Sequence, residues 1–300
     1  MRAERSSAVE ILRLHWKRNW FGYVLIAPAM LAVFAIRLYP ILEGFRLAFT
    51  NTSFLRLGES EFIGFDNFVS MFGNDAFRSA LGFTFIYTFS TLFAAYVLAM
   101  ALALQLNQPL RARGVFRTLL LIPWVIPAMV ACANVIWILN DRYGLVNLFL
   151  QRWGFRPIHF LSDLGVVRYT VIGTAVWRFF PFMMIILLAG MQAIPRELYE
   201  CAHLDGAGPV KCFEYITLPL LKTVSFICIT LSLIWIINDF ATPYFLTGGG
   251  PLNHTTTIPI LSYHRAFFRG QLGYAAAIAV VMAALVVLIS IFNKRLTANR

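Results

Sequence analysis

Charge is scarce in this chain. Only 13% of its 300 residues are Asp, Glu, Lys or Arg, against roughly a quarter in soluble proteins. Acids number 14 against 25 bases, and lysine occurs only at positions 17, 211, 222 and 294. None of these lysines stands in a G-x-x-x-x-G-K-[S/T] frame, so a phosphate-cradling loop of that type is excluded. Cysteine is sparse too. Cys132 and Cys228 lie in apolar runs, while Cys201 and Cys212 belong to a polar stretch. No C-x-x-C pair and no H-E-x-x-H run occurs, so no redox or metal centre of those patterns is expected. The five histidines have no Ser or Asp constellation that a sequence identifies as nucleophilic machinery. No catalytic residue is assigned.

Apolar residues are what the chain has in excess. They make up 59% of it, with a mean hydropathy of +0.72. That composition reads as an all-α integral membrane protein of several spans and short loops, without room for a large extra domain. The net charge of +11 would suit nucleic acid. However, the bases sit at the ends of apolar runs, which is a membrane-topology pattern, and no basic-aromatic nucleic-acid module is visible. Membrane lipid is therefore an expected partner and nucleic acid is not.

Six spans are expected, at about 20–42, 80–104, 115–139, 169–190, 220–240 and 272–292, within a permease domain over 20–293. The first run is too long for a signal-peptide core and is read as a retained span. Pro28 and Pro40 should break it, and Pro123 and Pro127 should kink the third. With the N-terminus inside, one side carries fourteen Lys and Arg and the other nine, the latter spread over longer loops. Both tails, 1–19 and 294–300, and the loop at 191–219 are thus expected in the cytoplasm.

That loop is the most informative stretch. Pro195 suits the first position of a helix, and Glu197 and Glu200 suit its early turns, where negative charge complements the dipole. Leu198, Cys201 and Ala202 fall on one short apolar face. Asp205-Gly206-Ala207-Gly208-Pro209 should end the helix, and Pro209 can open another. The pattern Glu200-x-Ala202, three residues, Gly206, nine residues, Ile216-x-Leu218-Pro219 resembles the "EAA" signature of permease subunits in binding-protein-dependent ABC importers. Cys201 stands where that family usually has Ala.

The resemblance implies the type I ABC importer permease fold in a bacterial or archaeal cytoplasmic membrane. In that family the loop is a coupling helix docking on the ATP-hydrolysing subunit. Glu200 would be its polar contact, Leu198, Cys201 and Ala202 its apolar face, and Asp205 with Gly206 its bend, with Ile216, Leu218 and Pro219 completing the motif. Implied partners are a second homologous permease, an ABC ATPase dimer that binds ATP and Mg, and a periplasmic or lipid-anchored sugar-binding protein. This chain would bind no cofactor.

Three further stretches fit the carbohydrate branch. Phe62-Ile63-Gly64-Phe65-Asp66-Asn67 is similar to an "F-x-G-x-D-N" string after the first span. Thr247-Gly248-Gly249-Gly250-Pro251 looks like its "T-x-G-G-P" outer loop, where backbone can approach a neighbour closely. Gly270 to Ala277, entering the last span, also fits. The function implied is half of a translocation path for a sugar or oligosaccharide, with glycerol phosphate or a polyol derivative as the alternative substrate. A stand-alone secondary transporter would need repeats and midplane acids, and a membrane enzyme would need converging polar groups. Neither pattern is evident.

Ionisable residues within spans are functional candidates. Arg37 lies near a span end and can snorkel. Arg178 with neighbouring Trp177, and Asp239, are candidates for the substrate path.

Overall fold

The computed structural model describes residues 8–54, 58 and 60–298, with side chains from Trp16 to Ile291 apart from Arg18. Residues 1–7 and 299–300, the outer parts of the two expected tails, lie outside it. The described chain is almost wholly helical, and its β-structure is one isolated bridge between Thr50 and Phe62.

The first long helix is α1 (Ala8–Val33), which passes through a π turn at Phe34–Leu38 into α2 (Tyr39–Ala48). Pro28 sits inside α1 without ending it. Near Pro40 the chain also stays helical, because the wider turn lets Tyr39 N–H reach Phe34 O. The expected breaks are therefore absent. None of the most apolar window of this span is buried by the rest of the chain.

A short α3 (Asp66–Phe72) leads to α4 (Asp75–Asn107), about 50 Å long at 1.5 Å per residue. Asn74 caps α4, its side-chain oxygen accepting from Ala76 N–H at 2.9 Å, and Asp75 complements the dipole in the first turn. Then come α5 (Arg113–Val125) and α6 (Ala128–Ile138), bent by 97° relative to each other. One kinked span is expected there, and the chain instead turns a corner. Ile126 precedes a proline and is extended, with ψ 133°, while Pro127 has no N–H to donate. Pro123 stays within α5.

The chain continues through α7 (Leu145–Arg152) to α8 (Val167–Gln192), the partner of α4 at the centre of the molecule. Ala95, Ala99 and Ala103 repeat every four residues on α4 and are wholly buried. Such small side chains let membrane helices approach closely. After the polar loop, α12 (Lys222–Ile237) packs on α4 and α8. It meets the preceding helical stretch at a 67° bend next to buried Leu221. The segment between α12 and α15 holds α13 (Ala241–Thr247), α14 (Ile258–Tyr263) and a π turn at His264–Phe268, before α15 (Leu272–Ala298) ends the described chain. A second core, with Met71, Phe77, Ile237, Ile258 and Ile278, joins this segment to α4 and α15. Among the described residues four helices are long and apolar enough to cross a membrane, or six if each bent pair is one span.

Candidate functional site

Two constellations stand out, one in the polar loop and one inside the bundle. In the loop, α9 (Arg196–Leu204) begins one residue later than expected. Pro195 is its N-cap, with ψ 133°, and not its first helical residue. The fixed φ of proline suits either place, and the extended ψ decides. At the other end Gly206 has φ +76°. Its N–H donates to His203 O at 3.0 Å and Ala207 N–H to Ala202 O at 2.8 Å. This pair of bonds is a Schellman closure, with Asp205 at the C-cap.

The helix so framed is displayed outward. Leu198 is 44% exposed and Leu204 89%, Glu200 and Cys201 are exposed and Ala202 is half-buried. Beyond the bend, α10 (Pro209–Cys212), a π turn at Phe213–Thr217 and α11 (Leu218–Leu220) carry the chain to α12. Leu218 and Pro219 are exposed, whereas Ile216 packs against the main core. Tyr199 and Thr217 share a hydroxyl hydrogen bond of 2.9 Å, tying α9 to the start of that return. The Thr217 hydroxyl also lies 3.3 Å from Cys212 O. Tyr199 stands one residue before the motif, and its bond to Thr217 depends on how the chain packs as it returns after the bend.

Inside the bundle, Arg178 on α8 and Asp239, two residues beyond α12, come together. The nearest Arg178 Nη1 to Asp239 Oδ1 separation is 4.0 Å, with side chains 15% and 6% exposed. Arg178 Nη1 also donates to the Thr242 hydroxyl. Tyr87 of α4 donates its hydroxyl to Asp239 Oδ2 at 2.6 Å, and Thr242 N–H donates to Asp239 Oδ1 at 3.2 Å. Both carboxylate oxygens are engaged, so a buried charge is paired and hydrogen-bonded as burial requires. Trp177 is 36% exposed and outside this network, since successive helical side chains point about 100° apart. Tyr87 and Thr242 are members that sequence reasoning missed: one more Tyr and Thr among apolar neighbours give no local signal.

The Gly-Pro loop at 247–251 folds back on its own chain. Gly248 and Gly249 have φ +61° and +93°. Thr256 donates its hydroxyl to Gly249 O at 3.0 Å and Thr255 to Gly250 O at 2.7 Å. A Cβ on Gly249 would lie 2.6 Å from Thr256 Oγ1, so the close approach is to a neighbouring segment. Pro251 follows a cis peptide. In the Phe62–Asn67 stretch Phe62 and Phe65 are exposed, while buried Asn67 donates to Ala48 O and Thr50 O, both at 2.9 Å. Among the described residues no group of His, Cys, Asp and Glu is placed to hold a metal.

Residues 95–299 match the family model described as the binding-protein-dependent transport system inner membrane component. A sulfoquinovosyl glycerol transport system permease protein of Agrobacterium fabrum is 36% identical over 87% of this chain and 85% of its own length. A trehalose/maltose transport system permease protein of Thermococcus litoralis is 32% identical over 91% and 92%. In fold, a chain of a bacterial ABC transporter involved in the import of the acidic polysaccharide alginate superposes with a TM-score of 0.86. It is 25% identical, and the match covers 97% of this chain and 99% of that one. This chain belongs to the family of inner membrane components of binding-protein-dependent transport systems.

Proposed function

We propose that the chain is one transmembrane half of an ATP-driven importer for a sugar or oligosaccharide, delivered by an extracytoplasmic binding protein. The observation that carries this reading is α9, a short closed helix outside the bundle that presents Leu198 and Glu200 to the outside of the fold. Exposed apolar side chains on a polar loop suit a protein partner. The partner fitting the family is an ABC ATPase dimer carrying ATP and Mg. Closure of that dimer would push α9, and the Tyr199–Thr217 bond with the Ile216 packing would pass the motion towards α12. A second homologous permease would supply the other half of the path. The excess of Lys and Arg on the tails and on the loop at 191–219 supports a cytoplasmic α9, with both termini on that side. The setting is then a bacterial or archaeal cytoplasmic membrane.

Relatives named for trehalose/maltose and arabinooligosaccharides support a carbohydrate substrate. Others at 28–29% identity are named for sn-glycerol-3-phosphate. Arg178, engaged by Asp239 and Thr242, is a poor free clamp for a phosphate in the interior. Purification of a tagged chain from its native membrane tests the reading. An ATPase and a second multi-span permease should accompany it, and recovery of the chain alone, transporting without ATP, would overturn it.

A further inference from the structure

A cavity of about 410 Å³ opens in the outer segment, between the start of α4 and the stretch 253–269. Its wall includes Asn253, Thr256, His264, Arg265, Phe268 and Arg269. The size falls within the ~300–1,000 Å³ of small-molecule sites. Among the described residues no carboxylate lines it. The nearest acid in sequence, Asp75 beside the lining Ala76, is paired to Arg78 at 2.5 Å. Among the described residues neither Arg265 nor Arg269 has a carboxylate within 4.0 Å. The two are four residues apart around a single helical turn, a spacing at which like charges repel.

Arg265 is held in place. Its Nη1 donates to Gln271 Oε1 at 3.0 Å, and its guanidinium stacks 4.8 Å from the centre of the Tyr274 ring. The Tyr274 hydroxyl is buried without a hydrogen-bond partner. Burial and then Arg269 lower the His264 pKa, which agrees with a locally positive field. An oriented guanidinium beside a second one, with an exposed amide and an exposed aromatic ring, is an arrangement complementary to an acidic carbohydrate. Guanidinium forks grip planar anions, the Asn253 amide serves hydroxyls, and Phe268 offers an apolar surface.

We propose that this cavity binds one anionic sugar unit, with Arg265 and Arg269 on its charged group and Asn253 and Phe268 on its ring. The site's extracytoplasmic placement rests on the importer reading above; its affinity for an anion does not.

The test uses the whole complex in lipid nanodiscs, without the delivery protein, and ligand-observed NMR with glucuronate and glucose as probes. Glucuronate should bind, more weakly at high salt, and glucose should not compete. Arg265→Gln/Arg269→Gln should weaken glucuronate at least about tenfold. Arg265→Lys, which keeps charge without the fork, should fall between. Arg269→Gln alone, at an exposed side chain, gives the same direction without threatening the fold. Equal binding of both sugars, or glucuronate unaffected by the double variant, would overturn the proposal. So would a double variant that binds glucuronate normally but, in a separate pull-down, docks the delivery protein more weakly, since the cations would then serve a carboxylate of that protein. The importer reading is checked separately: a wild-type complex in sealed proteoliposomes, with ATP and the delivery protein, that takes up no sugar would sink that reading and leave the binding result standing.

Discussion

Asp239 illustrates how much one residue's surroundings decide. Its carboxylate accepts from Tyr87 and from Thr242 N–H and faces Arg178. Removing one partner of a buried ion pair leaves an uncompensated charge, which costs about 3–5 kcal/mol. Asp239→Ala should therefore lower the thermal unfolding midpoint in detergent far more than Asp239→Ala/Arg178→Met. Tyr87→Phe, losing one bond to a charged acceptor, should cost about 2 kcal/mol. Equal losses for the single and double variants would mean the pair is not coupled. His264 gives a pH dependence. Burial and Arg269 lower its pKa from 6.5, so the unfolded chain binds the proton more readily. Stability then falls as pH drops through 6.5 and levels off below the folded pKa. Melting between pH 7.5 and 5.5 should show a decline that His264→Gln lacks.

At the scale of the element, two glycines make contrasting cases. Gly206 has φ +76°, and a Cβ there would meet nothing within 4 Å. Its penalty is backbone strain alone. Gly206→Asn should be tolerated and Gly206→Val should cost about 1–2 kcal/mol, seen as lost coupling between ATP hydrolysis and uptake with normal membrane insertion. Gly249 combines φ +93° with a Cβ only 2.6 Å from Thr256 Oγ1. Gly249→Ala should expose the 247–257 loop to protease, whereas Gly248→Asn, at φ +61° in open space, should not. The helix stop at Gly206 was legible from the residues because a Schellman closure is a local device. The corner between α5 and α6 was legible only as a kink. Pro127 removes a hydrogen bond, but how far the chain turns is set by what each half packs against.

For the whole molecule, α9 and the first span are both unfinished surfaces. The apolar window of 19–48 has no cover within this chain, and Leu198 and Leu204 are exposed on α9. Lipid serves the first, and a protein partner suits the second. Glu200→Lys reverses charge at an exposed position and should release the ATPase from the purified complex and reduce uptake, while this chain still inserts. Full ATPase recovery with the variant would remove Glu200 from the contact.

Composition and local chemistry determined most of the outline. Apolar runs long enough to cross a bilayer dictate helices, because lipid offers no partner for unpaired backbone groups. The Pro-to-Gly frame of α9 dictates a short helix and a bend. Tertiary structure decided which polar residues meet. Arg178 and Asp239 lie 61 positions apart in the chain, and Tyr87 and Asp239 152 apart. Their encounter follows from the packing of α4, α8 and α12, where small residues set the approach of the helices. The cationic cavity has the same origin. Its arginines are visible in the sequence, but the absence, among the described residues, of a carboxylate beside them is a property of the folded surface.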